Sequence, residues 1–593
     1  MQNPSSAARP WQVRSPGRVT TAEVRLAEGR LSYRIRLGEE VISNWAPLGI
    51  WTSVADFRSD VEFVRESTGS IQESYPMIAG KTASAVNHAS EFKLVVRRHL
   101  HAMELTVRVY DDGVAYRYAM DGRGGIRVYG EASGFGLADA EAWRSWAQSV
   151  VANYEGFYPP RSGKLTGAYN LPILFHRPER AWVLLTEAAV YGDYCGSHVK
   201  SRDDGSGLLE WTLADDQANP VDAERPFVTP WRVVMLGREL SVIFQSTLIE
   251  NLNPASELLD TEWIRPGRVY WSWWAGEAQD RYEVQARYVD FAAKMGWEYY
   301  LCDAGWQIDW LEQLIAYART KNVGIFVWAH HRDVLTDDDR EHNLGRWADL
   351  GVQGVKVDFF DSDSQEKIRV YDALARTTAE RKLLLNYHGA TKPSGERRRW
   401  PHLLTREGVY GAEYYRNHEG PTAEHNCTLP FTRNAVGPMD YTPVTYSKAR
   451  HATTLTHQLA LPVVFESPLQ HWSEGVEGFE AYGEDAVAFF RACPTTWDES
   501  RLIEGYPGQW VVVARRKDAA WFVGAISAQT RERTVTLALT FLPRRPHQAL
   551  VYQDGPEGDR TVCTRDTVTP DTVLRLVLPP RGGAVVMIEP AHT

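Results

Sequence analysis

Carboxylates dominate the residues of this sequence that could do chemistry. In the middle of the chain, apolar runs typical of buried strands end on polar or aromatic side chains. Two carboxyl groups beside aromatic rings are what glycosidic cleavage needs, because one protonates the leaving oxygen while the other attacks or activates water. Neither a G-x-S-x-G turn nor an H-E-x-x-H pair occurs, which disfavours serine esterases and zinc proteases. The strand-end residues are Trp273, Trp274, Asp303, His330, His331, Asp358, Asn386, His388, Arg406, Glu407, Glu413, Asp440 and Glu466.

Asp358 is the most unusual of these carboxylates. It ends the strand-like run GVKVD and lies between Val357 and the pair Phe359-Phe360. An ionised carboxylate in apolar surroundings is costly unless something compensates its charge. An aspartate at the end of a strand often only caps a loop or forms an ion pair. In apolar surroundings, however, a carboxylate without a function would cost too much free energy to be expected. Lys356, two residues earlier on the same face of the strand, is expected to favour the ionised form and to hydrogen-bond a substrate hydroxyl.

Composition and charge exclude several classes of function. A chain of 593 residues exceeds what one hydrophobic core organises, so two or three domains are expected. A formal net charge of −11 argues against nucleic acid as a partner. The five cysteines are scattered without a C-x-x-C pair, which disfavours zinc sites and disulfides. No run is long enough to span a membrane, and a cytoplasmic enzyme is expected, with a secreted or periplasmic form that has lost its signal as the alternative.

The elements that must position the acids fall into three regions. Residues 1–262 have mainly the period of two that is typical of strands, as in "MELTVRVYDDGVAYRYAM", "RAWVLLTEAAVYGDY" and "LSVIFQSTLI". This region is expected to form a large β-sandwich, with Asp112-Gly113 as a hairpin turn. Residues 499–593 return to the same period and are expected to form a small all-β domain.

Between them, residues 263–498 alternate strand-like and helix-like segments. The chain there contains about eight such β/α units, including "GVKVDFF", "LLLNYHG", "GPMDYTP" and "LPVVFESPLQHW" as strand segments, which is the size of one (β/α)8 barrel. An open doubly wound sheet is the alternative, but no G-x-G-x-x-G follows its first strand. In a barrel, the working residues lie where strands end, so the acids would meet at one mouth.

Six motifs, in order, resemble glycoside hydrolase family 97. They are "WSWW", "CDAGW", "GVKVDFF", "NYHG", "TREGVYGAEYY" and "LPFTRNAVGPMDYTP", and the resemblance extends into the first region through "YDDGVAYRY" and "LLTEAAVYGDY". The resemblance implies an N-terminal β-super-sandwich, a (β/α)8 barrel and a C-terminal β-domain. That partition agrees with the one drawn from periodicity.

The resemblance also indicates which of the family's two mechanisms, inverting or retaining, this chain uses. Inverting members of the family carry a base glutamate directly after the histidine that ends the fifth strand, but here Gly389 follows His388. Retaining members carry an aspartate nucleophile at the end of the fourth strand, which corresponds to Asp358, with Glu413 as acid and then base. Retention requires the two carboxyls about 5–5.5 Å apart, against about 6.5–9.5 Å for inversion. The resemblance therefore implies a retaining enzyme.

A calcium ion in the active site is also implied by the resemblance. The positions that match its ligands are Glu187, Glu407 and Glu413, with Asn386 as a further contributor. Calcium takes six to eight oxygen ligands, so waters and amides would complete the set. A ligated carboxylate has a lowered pKa whereas a general acid benefits from a raised one, so Glu413 is expected at the edge of the metal's shell or released from it by substrate.

Other strand-end side chains are expected to bind substrate. Asp303 would hold hydroxyl groups and Trp306 would stack on a sugar ring. The further candidates are Lys356, Trp273, His330, Arg406 and His388.

The resulting hypothesis is a retaining, calcium-dependent, exo-acting α-glycosidase, most simply an α-galactosidase, acting on a small oligosaccharide or glycoside. The galactoside preference comes from the resemblance, because retaining members are known chiefly as α-galactosidases. An α-glucosidase or a β-L-arabinopyranosidase is the alternative within enzymes. A non-catalytic carbohydrate-binding protein is the alternative of another class, although a binding protein does not need both carboxylates. The oligomeric state is not predicted.

Overall fold

The computed structural model describes residues 10–416, 418–445, 451–555 and 560–591. It consists of an N-terminal β-rich domain, a central parallel barrel and a C-terminal antiparallel domain, as expected from the sequence periods. No helix within these residues is both long and apolar enough to cross a membrane. Short 3₁₀ helices cover Ala140–Ala142, Ile308–Trp310, His331–Val334, Glu396–Arg398, Ala412–Arg416, Leu429–Phe431 and Arg433–Val436.

The N-terminal domain is a layered β structure, which confirms the predicted sandwich. Its large sheet has the order β13-β12-β15-β16-β20-β10-β9-β8-β7, with β6 and β19 also paired to β10, and the smaller sheets are β1-β2-β3-β4 with β5 on β3, and β11-β18-β17-β14. Its strands are β1 (Trp11–Arg14), β2 (Thr20–Ala27), β3 (Arg30–Leu37), β4 (Glu40–Val41), β5 (Ala46–Leu48), β6 (Ile50–Thr52), β7 (Glu62–Pro76), β8 (Ser84–Arg98), β9 (His101–Tyr110), β10 (Gly113–Glu131), β11 (Gly134–Phe135), β12 (Arg144–Trp146), β13 (Pro160–Ser162), β14 (Ala168–Tyr169), β15 (Ile173–Arg177), β16 (Ala181–Ala188), β17 (Ser197–Ser201), β18 (Leu209–Leu213), β19 (Val221–Val228) and β20 (Trp231–Gly237).

Two local predictions in this domain are wrong. "LSVIFQSTLI" is not a strand but forms the helices α1 (Leu240–Gln245) and α2 (Leu248–Asn251). Its buried residues Leu240, Ile243, Phe244 and Leu248 follow a helical spacing, which the β-branched composition of the run concealed. The hairpin turn lies one residue earlier than expected, because Gly113 pairs with Tyr110 across it.

The barrel consists of seven parallel strands within the described residues, in the order β26-β25-β24-β23-β22-β21-β27. Consecutive strands pair side by side because amphipathic helices connect them on the outside. The elements are β21 (Gly267–Trp271), α3 (Tyr282–Met295), β22 (Tyr299–Cys302), α4 (Leu311–Thr320), β23 (Gly324–His330), α5 (Asp337–Leu350), β24 (Gly354–Asp358), α6 (Gln365–Glu380), β25 (Leu384–Tyr387), β26 (Leu403–Arg406), α7 (Ala423–Asn426), α8 (Leu455–Val464), β27 (Leu469–Trp472), α9 (Val476–Ala481) and α10 (Glu484–Ala492).

The seventh of the eight expected strands, at "GPMDYTP", does not form a regular ladder. This segment nevertheless fills the gap between β26 and β27, because the backbone N–H of Asp440 donates to Arg406 O and that of Met439 donates to Glu466 O. Pro438 has no N–H to donate, so a continuous ladder is impossible here. The barrel is therefore nearly closed. In "LPVVFESPLQHW", only the last four residues are a strand, and the first four end α8.

The C-terminal domain is an antiparallel sheet packed on the barrel through α8. Its main sheet has the order β28-β29-β30-β35-β32-β33, and β31 pairs with β34. The strands are β28 (Glu499–Tyr506), β29 (Trp510–Lys517), β30 (Ala520–Ser527), β31 (Arg533–Ala538), β32 (His547–Asp554), β33 (Thr561–Val568), β34 (Val573–Leu578) and β35 (Gly583–Pro590).

The N-terminal domain contacts the barrel next to the end of β24. Asp363 lies in the loop after that strand, and its carboxylate accepts from the hydroxyl of Tyr154 at 2.6 Å and lies 3.0 Å from His198 Nε2. Gly196 N donates to Asp363 O at 2.7 Å. These contacts join the loop that follows Asp358 to the sandwich, so the sandwich helps to position one side of the barrel mouth.

Candidate active site

Asp358 lies at the barrel mouth, at the end of β24, and both of its oxygens are held. Trp328 Nε1 donates to Oδ2 at 3.0 Å, and the N–H of Phe359 donates to Oδ1 at 2.7 Å. Burial raises the pKa of Asp358, while the charges of Lys356 and His388 oppose that rise. The two hydrogen bonds fix the carboxylate in one orientation, which is what a nucleophile requires.

The backbone beside Asp358 is strained and fits closely against Gly389. Phe359 and Gly389 have φ values of 65° and 48°, in the left-handed region that a non-glycine residue rarely adopts. A Cβ added to Gly389 would lie 2.8 Å from the N and Cα of Phe359 and 3.1 Å from Asp358 Oδ1. Residue 389 therefore has no room for the glutamate side chain that an inverting mechanism would place there.

Gly389→Ala is expected to lower kcat by about 100-fold, because the new methyl group displaces Asp358 and a shift of about 1 Å at a catalytic group has that effect. The measurement is kcat on an aryl glycoside with the folded fraction checked by circular dichroism. Gly296→Ala is the matched control, since Gly296 has φ 68° but nothing within 4 Å of its added Cβ. Equal losses in both variants would attribute the effect to backbone strain and contradict the steric explanation.

Lys356 is buried among carboxylates on the floor of the site. Its Nζ lies 3.2 Å from Asp303 Oδ2 and 3.6 Å from Glu413 Oε1, and 4.6 Å above the ring of Trp271. Burial alone would lower the pKa of Lys356, but Asp303, Glu413 and Asp358 raise it above its ordinary value. Lys356 is therefore a permanent cation, and it supplies the charge compensation that Asp358 requires.

Glu413 approaches the same lysine from the 3₁₀ helix Ala412–Arg416. Its side chain keeps 22% of its accessible surface. Burial, assisted by the charge of Glu407, raises the pKa of Glu413 to about 7 although Lys356 opposes the rise. A carboxyl group with this pKa is partly protonated at neutral pH and can both donate and accept a proton.

His388 and Glu407 lie beside the two candidate catalytic carboxylates. His388 Nδ1 is 3.2 Å from Glu407 Oε2 and 3.5 Å from Glu413 Oε1, and its Nε2 is 2.7 Å from Asp440 Oδ2. Burial would raise the pKa of Glu407, but His388 lowers it overall. Asp440 thus orients the imidazole, and the imidazole keeps Glu407 ionised.

An acidic cluster suited to a metal ion is formed here. Ligand atoms of Asp358, His388 and Glu407 lie within 4.8 Å of one another. Glu155 of the N-terminal domain contacts the segment that carries Glu413, because its Oε2 accepts from the hydroxyl of Tyr414 at 2.6 Å. Burial first, and then the charge of Glu407, raise the pKa of Glu155 to about 10. The Oε1 atom of Glu413 is buried without a hydrogen bond to the described residues. Several carboxylates with few cations to balance them fit a hard cation that prefers oxygen.

Glu187, the ligand predicted from the N-terminal domain, is paired with two cations in the structure. Its carboxylate is completely buried between Lys392 Nζ at 2.5 Å and Arg232 Nη1 at 2.9 Å, and it also accepts from Ser197 N. Both oxygens are therefore engaged. Glu155 is a second carboxylate of the sandwich that contacts the barrel, through the hydroxyl of Tyr414.

Asn386 lies on the barrel floor. Its Nδ2 donates to Asp440 Oδ2 at 2.8 Å, and its Oδ1 is buried without a hydrogen bond to the described residues. An amide oxygen with no donor is available for a cation or a substrate hydroxyl.

The predicted substrate-binding residues divide into those the structure brings to the mouth and those it does not. Asp303 is buried beside Lys356 and also accepts from Trp271 Nε1 at 2.6 Å. Trp306 Nε1 donates to Trp328 O at 2.8 Å. It thereby positions Trp328, whose own Nε1 donates to Asp358. His330 is at the mouth, where its ring stacks on Phe359 at 5.4 Å.

Trp273 and Arg406 both contact other side chains of the protein. The ring of Trp273 stacks on Trp271 at 5.5 Å and lies under the guanidinium of Arg416 at 4.1 Å, and the residue is partly buried, so its role in substrate binding stays a prediction. Arg406 Nη2 pairs with Glu396 at 2.7 Å, and its guanidinium lies over Tyr371 and Tyr387. Arg406 thus points away from the acids and fills a structural role between strand and loop.

Three side chains of the site were missed by sequence reasoning. Trp328 and Trp271 hydrogen-bond Asp358 and Asp303 from neighbouring strands, and Glu155 comes from another domain. Trp328 precedes His330 by the strand period of two, so it could have been assigned to the same face. For Glu155 the one local signal was its aromatic setting in "NYEGFY".

Models of one family match all three regions of the chain. "Glycosyl-hydrolase 97 N-terminal" matches residues 13–254, "Glycoside hydrolase 97" matches residues 270–409, and "Glycosyl-hydrolase 97 C-terminal, oligomerisation" matches residues 496–589.

Two curated proteins are similar over most of their length. A "probable retaining alpha-galactosidase" of Streptomyces bingchenggensis is 36% identical, over 92% of this chain and 88% of the relative. A "retaining alpha-galactosidase" of Bacteroides thetaiotaomicron is 27% identical, over 88% of each chain.

Solved structures share the complete fold. A β-arabinopyranosidase superimposes with a TM-score of 0.90 at 25% identity, over 97% of this chain and 100% of that one. A family 97 enzyme of Pseudoalteromonas sp. strain K8, in complex with panose, has a TM-score of 0.92 at 22% identity, over 98% of this chain and all of that one.

Proposed function

The chain belongs to glycoside hydrolase family 97, and from that premise we propose that it is a retaining, exo-acting α-galactosidase that works by double displacement. The observation that carries the mechanism is the steric one at Gly389, where an added Cβ would lie 2.8 Å from the backbone of Phe359. Asp358 is oriented by two hydrogen bonds, and Glu413 lies 3.6 Å from Lys356, whose charge also lowers the pKa of Asp358. Asp358 is the nucleophile and Glu413 is the acid and then the base.

The first step transfers the sugar to Asp358. Lys356 favours the ionised carboxylate, which attacks the anomeric carbon while Glu413 gives its proton to the glycosidic oxygen and the bond to the leaving group breaks. In the second step Glu413 takes a proton from water, and the water oxygen displaces Asp358. Two inversions at the same carbon give net retention. A pKa of Glu413 near 7 suits a group that must donate and then accept.

The galactoside specificity is supported by the two curated relatives, both described as retaining α-galactosidases. The second candidate is a β-L-arabinopyranoside, supported by the structural similarity to a β-arabinopyranosidase. This sugar has the ring stereochemistry of α-galactose without the hydroxymethyl group, so one pocket can accept both.

The acidic cluster is proposed to hold Ca²⁺. Glu407 and Glu155 are the carboxylates that would hold it, with Asn386 Oδ1 as an amide ligand. Glu413 would lie at the edge of the shell and be released by substrate, so that it can carry the proton. When bound, the cation supplies positive charge that keeps the surrounding carboxylates ionised and stabilises negative charge at the substrate. Glu187 is not part of this set, because Lys392 and Arg232 already neutralise it.

Removal of calcium with a chelator is expected to lower activity at least about tenfold and to lower the midpoint of thermal unfolding, because a ligand that binds only the folded protein stabilises it. Added Ca²⁺ restores both, and Mg²⁺ does so poorly because it requires a smaller octahedral shell. Glu155→Gln should lose the calcium-dependent shift in unfolding, while Glu141→Gln, an exposed acid of the same domain, should keep it. An unchanged shift in Glu155→Gln contradicts the proposed ligand set.

Proton NMR of the first anomer released from a panel of aryl glycosides tests the proposed function. Aryl α-galactoside is expected to be cleaved fastest and to release the α-anomer first. Initial release of the β-anomer would overturn the retaining mechanism. If the β-L-arabinopyranoside or the α-glucoside is cleaved faster, that sugar is the substrate instead of galactose. If no member of the panel is cleaved, a carbohydrate-binding protein is favoured.

A further inference from the structure

Three aromatic rings in contact with one another lead outward from the acid side of the site. Tyr414 stacks on Tyr410 with ring centroids 3.8 Å apart, and Tyr410 contacts Phe157 at 4.7 Å. Phe157 belongs to the N-terminal domain, whereas the two tyrosines follow β26 in the barrel. We call Phe157, Tyr410 and Tyr414 the aromatic ladder. Its outer ring, Phe157, is 41% exposed.

The inner end of the ladder is tied to the carboxylates. The hydroxyl of Tyr414 donates to Glu155 Oε2 at 2.6 Å, and Tyr414 directly follows Glu413 in the chain. Glu413 Oε1 lies 3.6 Å from Lys356 Nζ at the barrel mouth. The ladder therefore begins at the candidate acid and ends in solvent.

The outer end of the ladder is held rigidly. His425 packs edge-on against Phe157 at 4.8 Å, and its Nε2 lies 3.1 Å from Tyr410 O. An exposed phenylalanine fixed in this way has lost its side-chain freedom without burying its face. That arrangement favours the binding of a ligand to the exposed face, because the ring loses little further side-chain entropy when it binds.

The direction of the reaction identifies the ligand. In a displacement at the anomeric carbon, nucleophile and leaving group lie on opposite faces, and the acid must reach the leaving oxygen. The leaving group therefore departs on the side of Glu413, where the ladder begins, and away from Asp358 and its neighbour Phe359.

We propose that the aromatic ladder binds the leaving group, so that the enzyme selects substrates whose leaving group carries a sugar or aryl ring, with Phe157 as a specificity-determining residue supplied by the sandwich. The inference rests on the proposed function, because it takes Glu413 as the acid. As the bond from the anomeric carbon to the glycosidic oxygen breaks, the proton of Glu413 passes to that oxygen. The alcohol so formed leaves along the ladder, its C–H face against the rings.

The test compares two substrates that share the transferred sugar. One is an α-galactosyl-(1→6)-glucose disaccharide, whose leaving group is a ring, and the other is α-galactosyl fluoride, whose leaving group is a single atom. Phe157→Ala is expected to raise KM for the disaccharide about tenfold, since it removes one aromatic contact surface, and to leave kcat/KM for the fluoride within about twofold. Phe157→Tyr should restore the disaccharide KM because it keeps the ring.

The control is Phe63→Ala, which removes a phenylalanine of similar exposure, 49%, from the edge strand β7. It should change neither substrate. A second readout is transfer of the galactosyl group to added glucose, which should fall in Phe157→Ala relative to hydrolysis, because the acceptor uses the surface that the leaving group vacates. Equal effects on disaccharide and fluoride, or no effect on the disaccharide, would overturn the inference and leave the proposed function intact.

If the wild-type enzyme cleaves neither galactosyl substrate, the galactoside assignment fails. The same pair prepared with α-glucose or β-L-arabinopyranose then tests the ladder on the sugar that is cleaved. If no pair is cleaved, both the proposed function and the inference are overturned.

Discussion

Asp358→Ala is expected to lower turnover of natural glycosides by at least about 10⁴-fold, because it removes the atom that forms the covalent bond. The hydrogen bond from Trp328 then has no acceptor, and the cavity left by the carboxylate is open to a small anion. Added azide should enter that cavity, attack an activated aryl α-galactoside and restore product formation. The product should be the β-configured glycosyl azide, since a single displacement inverts the centre.

The measurement is the rate of aryl alcohol release with and without azide, followed by NMR of the glycosyl azide. Asp361→Asn is the control, because Asp361 is an exposed carboxylate of the same loop with φ 45°, a conformation that asparagine tolerates. It should retain most of the activity. An α-configured azide, or an equal loss in Asp361→Asn, is incompatible with Asp358 as a direct nucleophile.

Glu413→Gln is expected to have an effect that depends on the leaving group. Glutamine preserves the size of the side chain but has no acidic proton, so cleavage of a galactosyl disaccharide should slow by about 10²–10⁴-fold. An aryl leaving group that departs without protonation should lose far less in the first step. The glycosyl-enzyme on Asp358 should then accumulate, because the base of the second step is also missing.

Pre-steady-state release of the aryl alcohol measures this outcome as a burst followed by slow turnover. Glu419→Gln, an exposed acid on the same segment, is the control and should show neither a burst nor a loss. Equal losses for disaccharide and aryl substrates would mean that Glu413 does not protonate the leaving oxygen. In that case Glu407, which lies beside the same His388 Nδ1 as Glu413, would have to be tested for the role.

The sequence predicts the position of a side chain best when its partners lie in the same strand. Lys356 and Asp358 share one face of β24 because strand residues alternate, so their meeting was predictable from two positions. The barrel mouth was predictable in the same way, since parallel strands deliver their last residues to one rim. The seventh strand segment was misjudged because Pro438 removes a donor, which is a local feature whose consequence depends on the partner strand.

Contacts between elements distant in the chain were beyond sequence reasoning. Glu187 and Glu155 are both acids of the N-terminal domain, both contact the barrel, and which partner each one meets there is decided by how the two domains pack. Lys392, 205 residues from Glu187, neutralises it, while Tyr414, 259 residues from Glu155, holds that carboxylate at the site. Trp273 was predicted to contact the sugar, and the structure shows that the guanidinium of Arg416 lies 4.1 Å from its ring.

The sequence by itself determined the three regions, the catalytic pair as a hypothesis, and the absence of a base at residue 389. These follow from periodicity, from strand ends and from residue identity, which are properties of short segments. Only the tertiary structure decided that a side chain at 389 would collide with Phe359, that Glu155 contacts the segment that carries Glu413, and that Phe157 extends the tyrosine stack. The physical reason is that burial, charge and contact at this mouth arise between segments from two domains, and their energies exist only once those segments are packed together.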